Sequence, residues 1–260
     1  MRALIPRADH MTAPLFSLVT LLLTGCASYA TPGRGADMRT FGMTADQQTD
    51  ASIVRTMSKQ PLAALPTSIA IVRVQAPGYR SQTAEGWGRG AYSIVTTRDI
   101  ENGDEAFNRL QKLPMVSGVA PVNRLLLPEE FHSDLELRQA AAALHADMVL
   151  IYTLDTTFDV QDAAVPLSVV TLGLSPNEVA HVICTASAVI MDTRNGYVYG
   201  IAEATEKQSQ LASAWTSEAA VDQTRRRVES KAFGMLVGNI GQTWNGVVHQ
   251  FGSGRQAAAE

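Results

Sequence analysis

Between Ser133 and Leu154 the sequence sets a capped helix directly against an unbroken apolar strand, and few architectures accommodate that junction. Ser133-Asp-Leu-Glu136 reads as a capping box, in which the serine oxygen and the glutamate carboxylate each satisfy an orphan amide of the first turn. The alanine-rich run from Arg138 to His145 continues as helix. Ala146-Asp147 then leads into Met148-Val-Leu-Ile-Tyr-Thr-Leu154. A run apolar at almost every position has no solvent face, so it belongs at the centre of a sheet with cover on both sides.

The remaining elements fit around that centre. Ile53, Val54 and Met57 share one face of a short helix in Asp50–Met57. Ser68-Ile-Ala-Ile-Val-Arg-Val74 is rich in β-branched residues and reads as a core strand. A long glycine-rich loop, residues 76–90, separates it from a second strand at 91–97. Asn102 or Gly103 opens a helix with Phe107 and Leu110 on one side, closed by Pro114. Residues 115–122 suit an edge strand, because Pro121 has no N–H for a ladder. A long strand at 179–192 meets Arg194-Asn-Gly196, whose Asn-Gly pair suits a type I′ turn, and 197–202 returns. A final long helix from Thr216 carries Val221, Val228, Ala232 and Met235 toward the sheet, with Arg225-Arg-Arg227 expected on its solvated side. The expected fold class is α/β (α+β): a single mixed sheet, helices packed on it, and an antiparallel C-terminal hairpin.

The 260 residues carry a net charge of −4, which offers no concentrated positive face for a nucleic acid. Arg2 and Arg7 precede an apolar run, Leu15 to Leu23, that is too short to span a bilayer permanently and reads as an export signal. The run closes on Leu23-Thr-Gly-Cys26, which resembles the lipobox of bacterial lipoproteins. The resemblance implies removal of residues 1–25, acylation of Cys26 and a lipid anchor in the membrane; Ala27, where an aspartate would favour inner-membrane retention, implies the outer membrane, facing the periplasm. The expected organisation is a signal peptide at 1–25, a flexible tether at 26–47, one domain at 48–251 and a disordered tail at 252–260. Cys184, the only other cysteine, lies in an apolar run and reads as a core residue.

Three segments, Ser68–Val74, Ala146–Tyr152 and Ala188–Tyr199, stand in an order similar to that of periplasm-facing α/β lipoprotein domains: the curli-type secretion lipoproteins, peptidoglycan-synthase activators and the N-terminal domain of TolB. That resemblance covers roughly residues 66–240. It implies a non-enzymatic binding or assembly module for another envelope protein, able to form a homo-oligomer. Curli-type pores lay two strand pairs per subunit into the membrane; this chain offers one candidate, between Asp159 and Val179.

Two segments are candidates for partner binding. Trp87 and Arg89, in Gly86-Trp-Gly-Arg-Gly90, are residue types that dominate interface hot spots. The glycines lack the helix start and Lys-Ser/Thr of a phosphate-binding loop. Leu167, Val169 and Leu172 lie in a connection unusually apolar for a loop, although its alternation slips at Val169-Val170 and so does not read as a clean membrane strand. The histidines are scattered, no set has metal-ligand spacing, and no Gly-x-Ser-x-Gly elbow occurs. No enzymatic activity, metal or cofactor is expected. The alternatives are a channel-forming subunit, or a hydrolase of envelope polymers with its site in the 76–90 loop.

Overall fold

The computed structural model describes residues 29–96, 103–162, 178–211 and 218–252. The fold is mixed α/β. Strands β1 (Thr67–Gln75), β3 (Ser93–Ile94), β4 (Val116–Pro121), β6 (Met148–Asp162), β7 (Glu178–Asp192) and β8 (Val198–Leu211) form one six-stranded sheet in the order β3-β1-β6-β7-β8, with β4 also on β1. A second, two-stranded sheet joins β2 (Arg89–Gly90) to β5 (Glu130–Phe131). The helices are α1 (Asp50–Met57), α2 (Gly103–Gln111), α3 (Leu135–Ala143) and α4 (Glu218–Gly252).

The run at 148–154 is central, as its composition demands: β6 pairs in parallel with β1 and antiparallel with β7. The helix before it ends in a Schellman motif. His145 takes the left-handed conformation (φ 55°), its N–H bonds Ala142 O and the Ala146 N–H bonds Ala141 O. That turn aims Asp147 at the ends of the central strands, where its N–H bonds Ser68 O and its carboxylate accepts from Arg194 at 2.7 Å. At the helix start Glu136 accepts from the Ser133 N–H as the capping box requires, whereas Ser133 Oγ reaches the Leu135 N–H, one residue short of the expected one.

The sheet buries both faces. On the first, Ile71, Leu150, Tyr152, Cys184 and Ile190 meet α2 and the long α4. Helix α4 contributes Val228, Ala232, Leu236, Ile240 and Trp244, a run of fourth residues that keeps one stripe on the sheet. Met235, expected on that stripe, is exposed. On the second face Val72, Val149 and Ile151 meet Leu137, Ala140 and Ala141 of α3, together with Phe131 and Tyr92.

The structure corrects three expectations: the free tether, the turn after β7 and the solvated Arg225–Arg227 run. The tether does not run free to residue 47. Tyr29 is held on the α4 side of the sheet by Phe158 and Asp222, and the chain then passes to the second face as a strap: the Gly33 N–H bonds Arg80 O, the Ala36 N–H bonds Thr153 Oγ1 at 2.7 Å, and Thr40 and Phe41 pack into the domain. A polar, glycine-bearing stretch is held here by backbone hydrogen bonds, which composition does not reveal. The turn after β7 is a four-residue loop in which Gly196 alone takes a positive φ (70°), not a type I′ pair. Its geometry comes from Asp192, which is fully buried and accepts from Leu62 N, Ala63 N, Arg194 N and Tyr199 Oη. Helix α1 forms over the expected residues, with Ile53, Val54 and Met57 exposed and nothing among the described residues covering that face.

The Arg225–Arg227 run also departs from expectation. Arg225 is fully buried, with its guanidinium against Asp222 (2.9 Å), Glu229 (2.8 Å) and Thr83 Oγ1 (2.7 Å). Glu229 in turn accepts from Thr156 Oγ1 of β6 at 2.8 Å. The buried charge is tolerable because carboxylates and hydroxyls hold its donors. The network ties α4 to the sheet and to the 76–90 loop. Arg227 alone of the three is exposed.

Candidate functional site: an apolar groove on the second sheet face

Helix α3 covers the second face only near β1 and the start of β6. Over β7 and β8 the same face stays open, and between it and the strap lies a groove of about 310 Å³. Register explains its floor. Ile151 stands opposite Val189, and Val189 opposite Ile201, so the three side chains form an apolar row across β6, β7 and β8. Val74 from β1 and Phe41 from the strap close one side. Ile201, at 73% exposure, is the open end of the row.

The polar groups around the groove are mostly engaged. Ser187 Oγ donates to Glu203 at 3.0 Å, and Asp37 pairs with Arg39 at 3.1 Å, which holds the Asp37 carboxyl below the usual carboxylate range. Thr40 differs. It is 1% exposed and its hydroxyl has no hydrogen-bond partner among the described residues. Such a group costs about 1–3 kcal/mol while it stays unpaired, a deficit that a bound polar atom could relieve.

Beyond the groove the face continues as a polar ladder, with Thr185 against Thr205 (2.9 Å) and His181 Nδ1 against Ser209 Oγ (2.7 Å). The outer edge of β8 is guarded for part of its length. Asn239 of α4 donates to Glu203 O at 2.7 Å and Thr243 to Ile201 O at 3.2 Å, so helix side chains meet carbonyls that would otherwise offer a template for another strand.

Trp87 and Arg89 are brought side by side, but the loop presents them differently from expectation. Trp87 pairs with Ile94 through both backbone groups and sets its ring edge-on to Phe131 at 5.7 Å, so it is half-buried. Arg89 is exposed and bonded to Glu129 at 2.9 Å. The glycines have a packing reason: Gly88 and Gly90 take φ of 91° and 107°, and a Cβ on either would collide with Phe131. Leu167, Val169 and Leu172 lie outside the described residues, as does Cys26.

Cys184 is fully buried, and burial pushes its thiol up to about 12, away from the thiolate that a nucleophile needs. Among the described residues no group of three His, Cys, Asp or Glu could hold a metal ion, and no helix is long and apolar enough to cross a membrane. Sequence reasoning reached Ile201 only as part of a strand and gave no sign of Thr40 or Phe41, because the groove forms between segments far apart in the chain.

No family model matches the chain, and no curated protein matches it. Among solved structures it is similar to a PelC dodecamer from Paraburkholderia phytofirmans carrying a single leucine-to-methionine substitution, at 13% identity and a TM-score of 0.29 over 70% of this chain and 94% of that one. A second PelC dodecamer from the same organism gives 14% identity and a TM-score of 0.26 over 68% and 94%.

Proposed function

We propose that this chain is a membrane-anchored envelope lipoprotein, acylated at Cys26 and facing the periplasm from the outer membrane, that acts as a non-enzymatic binding module. Its groove takes an apolar segment of another envelope protein. The observation that carries this reading is the groove itself: an apolar row ending in exposed Ile201, beside the buried and unpartnered Thr40 hydroxyl. The row continues the core outward from Ile151 to Ile201, which stays 73% exposed in an open groove, and an unpaired buried hydroxyl is uncommon enough to call for a partner. Trp87 and Arg89 supply a secondary contact at most, since both are already engaged within the fold.

The test uses Ile201, whose exposure makes it safe for folding. A photo-crosslinker placed at Ile201 in the native envelope is expected to give one dominant adduct, and an Ile201→Glu variant carrying the crosslinker at Glu203 is expected to lose it at least tenfold. The melting temperature should remain unchanged. An adduct of equal yield in both proteins, or none from either position, contradicts the groove as the binding site.

A further inference from the structure

We infer that the domain is held close to the membrane that takes its anchor, with the end of the sheet where Phe158 and the first turns of α4 lie turned toward the bilayer and the long strands rising away from it. The inference rests on the reading of Cys26 as the acylated residue. Its carrying observation is the anchorage of Tyr29, three residues after Cys26. Tyr29 is fixed to the domain: its ring meets Phe158 of β6 edge-on at 5.7 Å, and its hydroxyl bonds Asp222, in the first turns of α4, at 3.4 Å. Burial against this site raises the Tyr29 hydroxyl well above the ordinary tyrosine range.

Only Ala27 and Ser28 separate Cys26 from that point. Three residue steps reach about 10 Å at full extension, whereas a free tether to residue 47 would reach about 70 Å. The strap consumes the difference. Gly33 is held on Arg80, Arg34 O accepts from the Ala76 N–H, Gly35 pairs with Gln75 of β1, and Ala36 is held on Thr153. A lipid at Cys26 therefore has a short leash to one end of an elongated sheet.

The direction follows from the strands. From Phe158, β6 runs back through seven residues to Ile151 on the groove floor, about 23 Å at ordinary strand rise. The groove then opens sideways, clear of the lipid surface, at a height where another envelope protein can reach it. The Asp192 turn and the exposed apolar face of α1 lie toward the far pole, where Lys59 reaches Gly196 O.

Energy transfer from a label on the protein to acceptors in the lipid headgroups tests this directly. Full-length lipoprotein is reconstituted in phosphatidylethanolamine/phosphatidylglycerol vesicles, labelled through Ser209→Cys or Val198→Cys on β8; Cys184 is buried and should stay unlabelled. The two positions are eleven strand residues apart. The label at 209 is expected close to the surface and the label at 198 about 30 Å farther. Ten Gly/Ser residues inserted between Ser28 and Tyr29 should erase most of that difference. Acyl mass is read on the same samples. Acylated protein with equal transfer from both positions, or with a difference the insertion leaves intact, overturns the short-leash orientation while the anchor stands. Protein without acyl mass overturns both.

Discussion

Arg225→Ala is expected to lower the stability of the fold by about 3–5 kcal/mol, a large share of the roughly 5–15 kcal/mol that a domain of this kind holds in reserve. The side chain is fully buried between Asp222 and Glu229, at 2.9 and 2.8 Å. Removing it leaves the Glu229 carboxylate away from water with the Thr156 hydroxyl as a neutral partner, while Asp222 keeps Arg226 at 3.1 Å and the Tyr29 hydroxyl. Most of the loss is the cost of orphaned charge, not the worth of the pair. Replacing Arg225, Asp222 and Glu229 together with apolar residues of similar volume should therefore recover much of the stability that the single change removes. Urea unfolding of the two variants checks this: the single variant should move the midpoint sharply at constant slope, and the triple variant should move it far less.

Trp244→Ala should cost a similar amount, about 3–5 kcal/mol, by a different route. Trp244 is fully buried under β1 and β7, in a pocket shared with Ile69, Leu110, Leu113, Ile190 and Ile240. Its indole N–H donates to Pro114 O at 2.7 Å, so the ring fastens the end of the α2 segment as well as filling the core. Trp244→Phe separates the two roles. It keeps most of the packing and strands the carbonyl, for a cost of about 1–3 kcal/mol. If the two variants destabilise equally in the same unfolding experiment, the hydrogen bond and not the volume dominates, contrary to this account.

Much of the fold was legible in the sequence where a local pattern decides the outcome. The apolar run at 148–154 could only be central, Pro121 marked β4 as an edge, and the stripe through Val228 and Ala232 set one side of α4 on the sheet. Elements whose fate depends on distant partners were not legible. Arg225 looks solvated in a three-arginine run, and the hydroxyls that complete its network, on Thr83 and Thr156, are far away in sequence. The strap reads as a tether because Gly33, Gly35 and Ala36 are held through the backbone, which leaves no trace in side-chain type. Helix α1 shows the converse: Ile53, Val54 and Met57 have the right period, but a period states which residues share a side and not whether anything covers it.

The candidate site shows the same division. The residues of the groove floor were assigned to strands, yet the groove exists only because Phe41 and Thr40 are laid beside Ile201 by a segment expected to be loose. Trp87 and Arg89 stood out for their chemistry, while the reason for Gly88 and Gly90, and for the ring's position, is Phe131, which is distant in sequence. Sequence identifies residue types suited to binding, while burial and pairing decide which of them remain available.

The lipid anchor is the central claim, and intact mass with membrane fractionation tests it most directly. Full-length protein and a Cys26→Ser variant are expressed side by side. The wild type is expected to lose residues 1–25, gain acyl mass and sediment with outer membranes, while the variant does none of these. If both proteins are recovered soluble, uncleaved and unmodified, the chain is not a lipoprotein and the groove must be reconsidered as a site in another compartment.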